Sequence, residues 1–210
     1  MTPNEMDKLL TDLMAEDMNS VGFKKKKTGS FFRIINGCKQ CFNISFTRDR
    51  GLPGTMYSMY PTLIFQFPAV DELHCLFMGR EYDKSEKACG TGRKSLHTLV
   101  PGKDSFRYKY CSNDPMEQQV NLLFNDFVEY ALPFFDRYDS LEKIEKYFDE
   151  NSSSNIEGFS VIRSQAYGCC IAATLCANNH FNKCKKLIET DDQFSSEQSE
   201  RIMEYIREHE

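Results

Sequence analysis

The chain has no run of about eighteen apolar residues, so no membrane-spanning helix is expected in its 210 residues. Its first stretch, MTPNEMDKLLTDLM, sets acids within an amphipathic pattern. It lacks the basic start and apolar core of a signal peptide, and a cytoplasmic protein is expected. Histidine is scarce, limited to His74, His97, His180 and His209. No H-E-x-x-H, paired-carboxylate or metal-ligand cluster occurs, and no Ser or Cys sits in a nucleophile elbow. Triads assemble in space, so this does not exclude an enzyme. It does point away from one, and neither a cofactor nor a metal is expected.

Two near-motifs fail on spacing. Gly90-Thr91-Gly92-Arg93-Lys94-Ser95 lacks the glycine directly before lysine that a phosphate loop requires. Cys38-Lys39-Gln40-Cys41 has the spacing of half a zinc site, but no second C-x-x-C completes four ligands. A redox role for that pair needs a helix N-terminus to lower the thiol pKa, and a strand is predicted there. The nine cysteines, odd in number and scattered, read as reduced, packed thiols.

What is present is an organised stretch at 21–50. Residues 30–36 are aromatic and β-branched, Asn36-Gly37 suits a tight hairpin turn, and 38–48 alternates. Phe42, Ile44 and Phe46 point one way and Asn43, Ser45 and Thr47 the other, which predicts one buried and one wet face. Four lysines, Lys24, Lys25, Lys26 and Lys27, stand at its entrance.

Before this hairpin, Thr2, Pro3 and Glu5 form a helix-start signature, with Met6, Leu9, Leu10, Leu13 and Met14 at helical spacing and Gly22 as terminator. After it, 48–61 reads as a loop, oily through Met56, Tyr57, Met59 and Tyr60. Strands are predicted at 62–67, 73–78, 96–100 and 106–111, with a surface loop at 79–94. Asp114-Pro115 starts a helix that Pro133 ends or kinks. A short helix follows at 140–150, then a Ser-rich break at 151–155. Helices are predicted near 160–177, 181–190 and 196–209, the last capped by Ser195 or Ser196.

Strands first and helices later is an α+β pattern. The expectation is an antiparallel sheet of four to six strands, covered on one face by helices, with a C-terminal helical hairpin extension. The organisation expected is an α+β domain over 1–150 with a helical tail, 151–210, packed on it. Charge is split: residues 1–115 carry 17 Lys/Arg against 13 Asp/Glu, and 116–210 carry 9 against 18.

The helix, then Gly22-Phe23-Lys24-Lys25-Lys26, Phe31-Phe32-Arg33 and a further strand pair, resembles a bacterial family known as domain of unknown function 4304, over about residues 6–150. The resemblance implies a fold style and a bacterial, cytosolic setting. It implies no activity and no catalytic residues. Past the second strand, Phe46-Thr47-Arg48 departs from that family's pattern.

The functional expectation is a non-enzymatic cytosolic binding protein recognising another protein, immunity- or antitoxin-like or regulatory. Its candidate contacts are Met56, Tyr57, Tyr60, Arg33, Arg107, Lys109 and His97. An alternative is a small-ligand binder or enzyme with a pocket on the polar sheet face, using His97 and Arg107. A second is nucleic-acid binding through Lys24–Lys27, whose lysines also suit the plain role of protecting a sheet edge.

Overall fold

The computed structural model describes residues 2–48, 56–82, 91–102, 107–111, 115–150, 164–192 and 194–210. The fold is α+β. Among the described residues an antiparallel sheet of six strands runs in the order β1-β2-β3-β4-β5, with β6 on β4. The strands are β1 (Lys24–Lys27), β2 (Ser30–Ile35), β3 (Cys38–Arg48), β4 (Met56–Gln66), β5 (Gly92–Ser95) and β6 (Lys109–Cys111). The chain divides into two units. The first is Met1–Ile35, Lys39–Ile64 and Lys94–Arg137; the second is Asn36–Cys38, Phe65–Arg93 and Tyr138–Glu210.

The first unit opens with α1 (Pro3–Leu13), capped by Thr2. Its hydroxyl accepts from the Glu5 amide at 3.3 Å, while the Thr2 amide donates to the Glu5 carboxylate at 2.7 Å. This reciprocal pair satisfies two donors that a helix start leaves open. After α1 comes α2 (Ala15–Ser20), and Gly22, at φ +85, ends the pair in the conformation expected of a terminator. The buried stripe is Met6, Leu10, Met14 and Met18, while Leu9 and Leu13 lie more than a third exposed. A strict four-residue spacing makes a narrower seam than the predicted one.

The hairpin of β2 and β3 forms as expected. Asn36 and Gly37 both take positive φ, 49 and 77, the geometry that lets two residues reverse a twisted strand pair. Phe42, Ile44 and Phe46 are buried, and Ser45 is exposed. Beneath them lies an aromatic cluster. The Phe23 ring meets Phe127 edge-on at 5.1 Å, and Phe42 meets Phe127 at 4.7 Å.

Five local predictions are corrected. Residues 56–61 are not loop but the first half of β4, so Tyr57 and Met59 are core. The Met59 amide donates to the Tyr108 carbonyl at 2.9 Å. Two residues on, Pro61 has no such donor to offer that side, and β4's neighbour there is divided between β6, opposite Met56–Ser58, and β5. Residues 73–78 are not a strand; Pro68 at the first turn begins α3 (Pro68–Phe77), whose buried Val70, Leu73, His74 and Phe77 follow the helical period. Residues 96–100 hold a 3-10 turn, Leu96–Thr98, instead of a strand. The strand predicted at 106–111 is confined to β6, and the predicted surface loop yields β5 at its end.

Helix α4 (Met116–Asp126) continues through a widened π turn, Phe127–Ala131, into α5 (Leu132–Arg137). Pro133 therefore does not end the helix, which changes to a π turn just before it. Its ring would collide with the carbonyl four residues back, at Glu129, which lies inside the widened turn. The Asp114 cap, the 49–55 loop, the 151–155 break and the helix start at 160–163 lie outside the described residues.

The second unit contains α3, α6 (Leu141–Glu150), α7 (Ser164–Ala177), α8 (Phe181–Thr190) and α9 (Ser196–His209). Helix α7 packs on α3, α6 and α8, so its Cys169, Cys170, Ala172, Ala173, Leu175 and Cys176 are all buried. Helix α9 is capped by Ser195, whose hydroxyl accepts from the Gln198 amide at 3.2 Å. Among the described residues no helix is long and apolar enough to cross a membrane.

Candidate functional site

The predicted contact residues separate into three groups. Tyr57 is 1 % exposed and packs edge-on against Phe46 at 6.5 Å, so it belongs to the core and offers no surface to a partner. The side chain of Met56 lies outside the described residues.

Arg33 and Arg107 are both committed inside the first unit. The Arg33 guanidinium lies 4.8 Å above the Phe23 ring. Its Nε donates to Gln40 Oε1 at 2.7 Å, and its Nη2 pairs with Asp136. Gln40 Nε2 then donates to the Phe135 carbonyl at 2.7 Å, which ties β2, β3 and α5 together. Arg107 grips Asp126 two-pronged, and the Tyr108 hydroxyl donates to the same carboxylate at 2.8 Å. Those partners hold the Arg107 guanidinium well above its ordinary value, and burial with the Asp126 hydrogen bond pushes the Tyr108 phenol up. Arg107 is therefore not free to anchor a pocket, and His97 sits in the 3-10 turn that directly follows β5.

Tyr60 remains, and the structure adds residues that sequence reasoning missed. Tyr57 shares the helix-covered side with Phe46, so Tyr60, three residues on, points to the opposite side and is 50 % exposed. Arg33 turns toward Phe23, so its neighbour Ile34 also points to that opposite side, and it is 66 % exposed. Lys39, beside the inward Gln40, faces the same way, as does Lys109, paired opposite Ser58. Lys26 joins this surface. Burial and the neighbouring Lys39 ammonium both lower its pKa, and among the described residues neither lysine meets a carboxylate. Lys25 is bound to Asp12 instead. The surface thus combines two exposed apolar side chains with the positive charge of Lys26 and Lys39, which meet no carboxylate among the described residues. In the sequence Phe32 and Ile34 alternate with Phe31 and Arg33, and alternation alone does not say which pair faces inward.

Cys38 and Cys41 are both buried, and burial pushes the Cys41 thiol up despite nearby Lys39, Lys26 and Lys27. A raised thiol pKa slows nucleophilic chemistry at that C-x-x-C.

The second unit holds a different polar centre. Glu145 lies on the apolar stripe of α6 with Ile144 and Phe148, and is only 7 % exposed. Its carboxylate accepts from Asn178 Nδ2 at 2.7 Å and Lys183 Nζ at 2.8 Å, and faces His180 Nδ1 at 2.9 Å. Burial raises the Glu145 pKa, but those three partners outweigh it and leave the group below its ordinary value. Burial lowers that of Lys183, and its bonds to Asp149 and Glu145 carry it above its ordinary value. A cleft of about 630 Å³ opens beside them, with Asn179, Phe181 and Asn182 also on its wall. The lining offers Glu145, Asn179, His180, Asn182, Lys183 and Glu210 as hydrogen-bonding groups. An acid standing inside an apolar helical stripe was the missed signal for Glu145, as it was for Asp126 between Leu123 and Phe127.

Among the described residues no group of three or more His, Cys, Asp or Glu side chains is arranged to hold a metal ion. No protein-family model, no curated protein and no solved structure matches this chain.

Proposed function

We propose that this is a non-enzymatic, cytosolic binding protein that recognises another protein through the strand face bearing Ile34 and Tyr60. The observation that supports the reading is the 66 % exposure of Ile34, a large aliphatic side chain on a strand whose neighbours are largely covered. Protein interfaces place such apolar and tyrosine side chains at their centre and polar groups at the rim. Lys26 and Lys39, close together and meeting no carboxylate among the described residues, make an acidic partner surface the complementary one. An immunity-like or regulatory role fits this arrangement, and the resemblance to domain of unknown function 4304 names no activity that competes with it.

The test is capture from the native cell extract with immobilised full-length protein, wild type beside Ile34→Asp/Tyr60→Ser. The expected result is an acidic protein retained by the wild type and lost from the variant, with unchanged circular dichroism. Equal retention by both proteins overturns the reading.

One observation favours nucleic acid as a second reading. Phe32 and Tyr60 lie on the same side as Lys24 and Lys39, and sheets that bind single strands combine aromatic platforms with basic residues. Binding of a single-stranded oligonucleotide that weakens steeply with salt, and that Tyr60→Ser reduces, is its expected signature. The small-ligand alternative moves from the sheet to the cleft beside Glu145, where bound polar groups already stand.

A further inference from the structure

Cys176 lies in the last turn of α7 and Cys184 in the first turn of α8. The two helices are joined by residues 178–180, where Asn179 takes φ +59 and reverses the chain. This hairpin brings the two Sγ atoms to 3.7 Å, where the Cys176 thiol donates to Cys184 Sγ and no disulfide joins them. Both side chains are buried, and Cys184 Sγ also lies 3.8 Å from the Ala172 carbonyl oxygen. Cys170, on the same helix, is turned elsewhere, toward the Thr91 carbonyl at 3.3 Å. A disulfide needs its sulfurs at about 2 Å, so rotation of the two side chains and a small approach of the helices close the gap.

We propose that Cys176 and Cys184 form a redox-modification site at which a peroxide converts the two thiols into a disulfide across the α7–α8 hairpin. In the first step one sulfur attacks the peroxide, the O–O bond breaks, and an alcohol or water leaves while the sulfur becomes a sulfenic acid. In the second step the other thiol attacks that sulfur, the S–S bond forms, and water departs with the remaining proton. Two thiols are oxidised by two electrons, and one peroxide is reduced to water plus an alcohol, or to two waters when it is hydrogen peroxide.

Burial disfavours the thiolate, so the step is slow. Selectivity comes from proximity, because a sulfenic acid formed at either residue already touches its resolving thiol. The product has a structural consequence. The turn it staples supplies Asn178 and His180 to Glu145, so the bond fixes one wall of the cleft.

The experiment treats the reduced, full-length protein with hydrogen peroxide in native buffer, then removes the peroxide with catalase. The protein is next unfolded in N-ethylmaleimide, and the peptides are mapped by mass spectrometry. The expected result is a mass 2 Da below the reduced form before alkylation, a peptide pair joined through Cys176 and Cys184, and recovery of both thiols on treatment with dithiothreitol. In Cys184→Ser the linked pair is absent and Cys176 is recovered as thiol or as a higher oxide. Full alkylation of both residues in wild type, at peroxide levels that oxidise an exposed control thiol, overturns the proposal. Linkage of either residue to a different cysteine overturns it as well. Both outcomes are read on wild-type protein, so a poorly folding variant does not obscure them.

Discussion

Arg107 meets Asp126 through two parallel hydrogen bonds, Nε to Oδ2 at 2.6 Å and Nη2 to Oδ1 at 2.7 Å. The carboxylate is almost wholly buried, whereas the guanidinium keeps a third of its surface in water. The arginine therefore serves the acid. It neutralises a charge that α4 places at the head of its π turn, in the company of the Tyr108 hydroxyl.

Replacing Asp126 with Ala leaves Arg107 and Tyr108 without their common acceptor. Removing one partner of a buried pair costs about 3–5 kcal/mol, and the partial exposure of Arg107 puts the expected loss near the lower limit, about 3 kcal/mol. Urea denaturation followed by circular dichroism measures it. A loss below about 1 kcal/mol, the range of exposed pairs, would show that water replaces the carboxylate.

Tyr57 and Tyr60 stand three residues apart and are expected to behave oppositely. Tyr57→Ser empties a core site beside Phe46, and large aromatic truncations in cores cost about 3–5 kcal/mol. Tyr60→Ser changes a half-exposed side chain and is expected to shift stability by about 0.5 kcal/mol or less, while weakening partner capture. Equal losses of stability in the two variants would place Tyr60 in the core.

Glu145 gives the second unit an acid-sensitive contact. Its folded pKa lies below the ordinary value of 4.5, so its contribution is present above that value and is lost as pH falls through the folded pKa. Lys183 has the opposite sense. Its folded pKa lies above 10.5, so its share is complete below that pH and is lost as pH rises through the folded value. The urea midpoint of wild type is therefore expected to fall on acidification below pH 4.5 more steeply than that of Glu145→Gln. Parallel curves for the two proteins would remove Glu145 from the acid response.

Gly29 has no room for a side chain. A Cβ there would stand 2.5 Å from the Ile44 carbonyl oxygen, and the residue takes φ +71. Its amide donates to the Thr11 hydroxyl at 2.6 Å, and its carbonyl accepts from the Ile44 amide at 2.8 Å, so the backbone is held from both sides. Gly29→Ala is expected to destabilise the protein by about 1–3 kcal/mol, the range for strain at such backbone positions, measured as a lowered thermal midpoint. An unchanged midpoint would show that the β1–β2 turn relaxes freely.

Features that depend on a few neighbouring residues were readable in the chain. The Thr2 and Ser195 caps, the Asn36-Gly37 reversal, the Gly22 stop and the alternation of Phe42, Ile44 and Phe46 each follow from conformations that those residue types prefer wherever they occur. Misreadings came where two periods competed or a proline changed the rule. Residues 73–78 form a short apolar run that fits a strand, but with Val70 included they keep the helical period that Pro68 starts. Residues 48–61 read as a loop, yet 56–61 belong to β4, whose Tyr57 and Met59 are core.

Taken alone, the sequence determined the α+β class, most of the helices and the central hairpin, because hydrogen bonding within an element and the burial of one face are local requirements. Tertiary structure decided which polar groups are spent and which are available. Arg33 and Arg107 were taken up in ion pairs and stacking once Phe23, Gln40, Asp136 and Asp126 reached them, while Ile34 and Tyr60 were left facing water. Asp136 stands 103 residues from Arg33, and a charge buried in a low-dielectric interior is stable only where its counter-charge arrives, wherever in the chain that counter-charge lies.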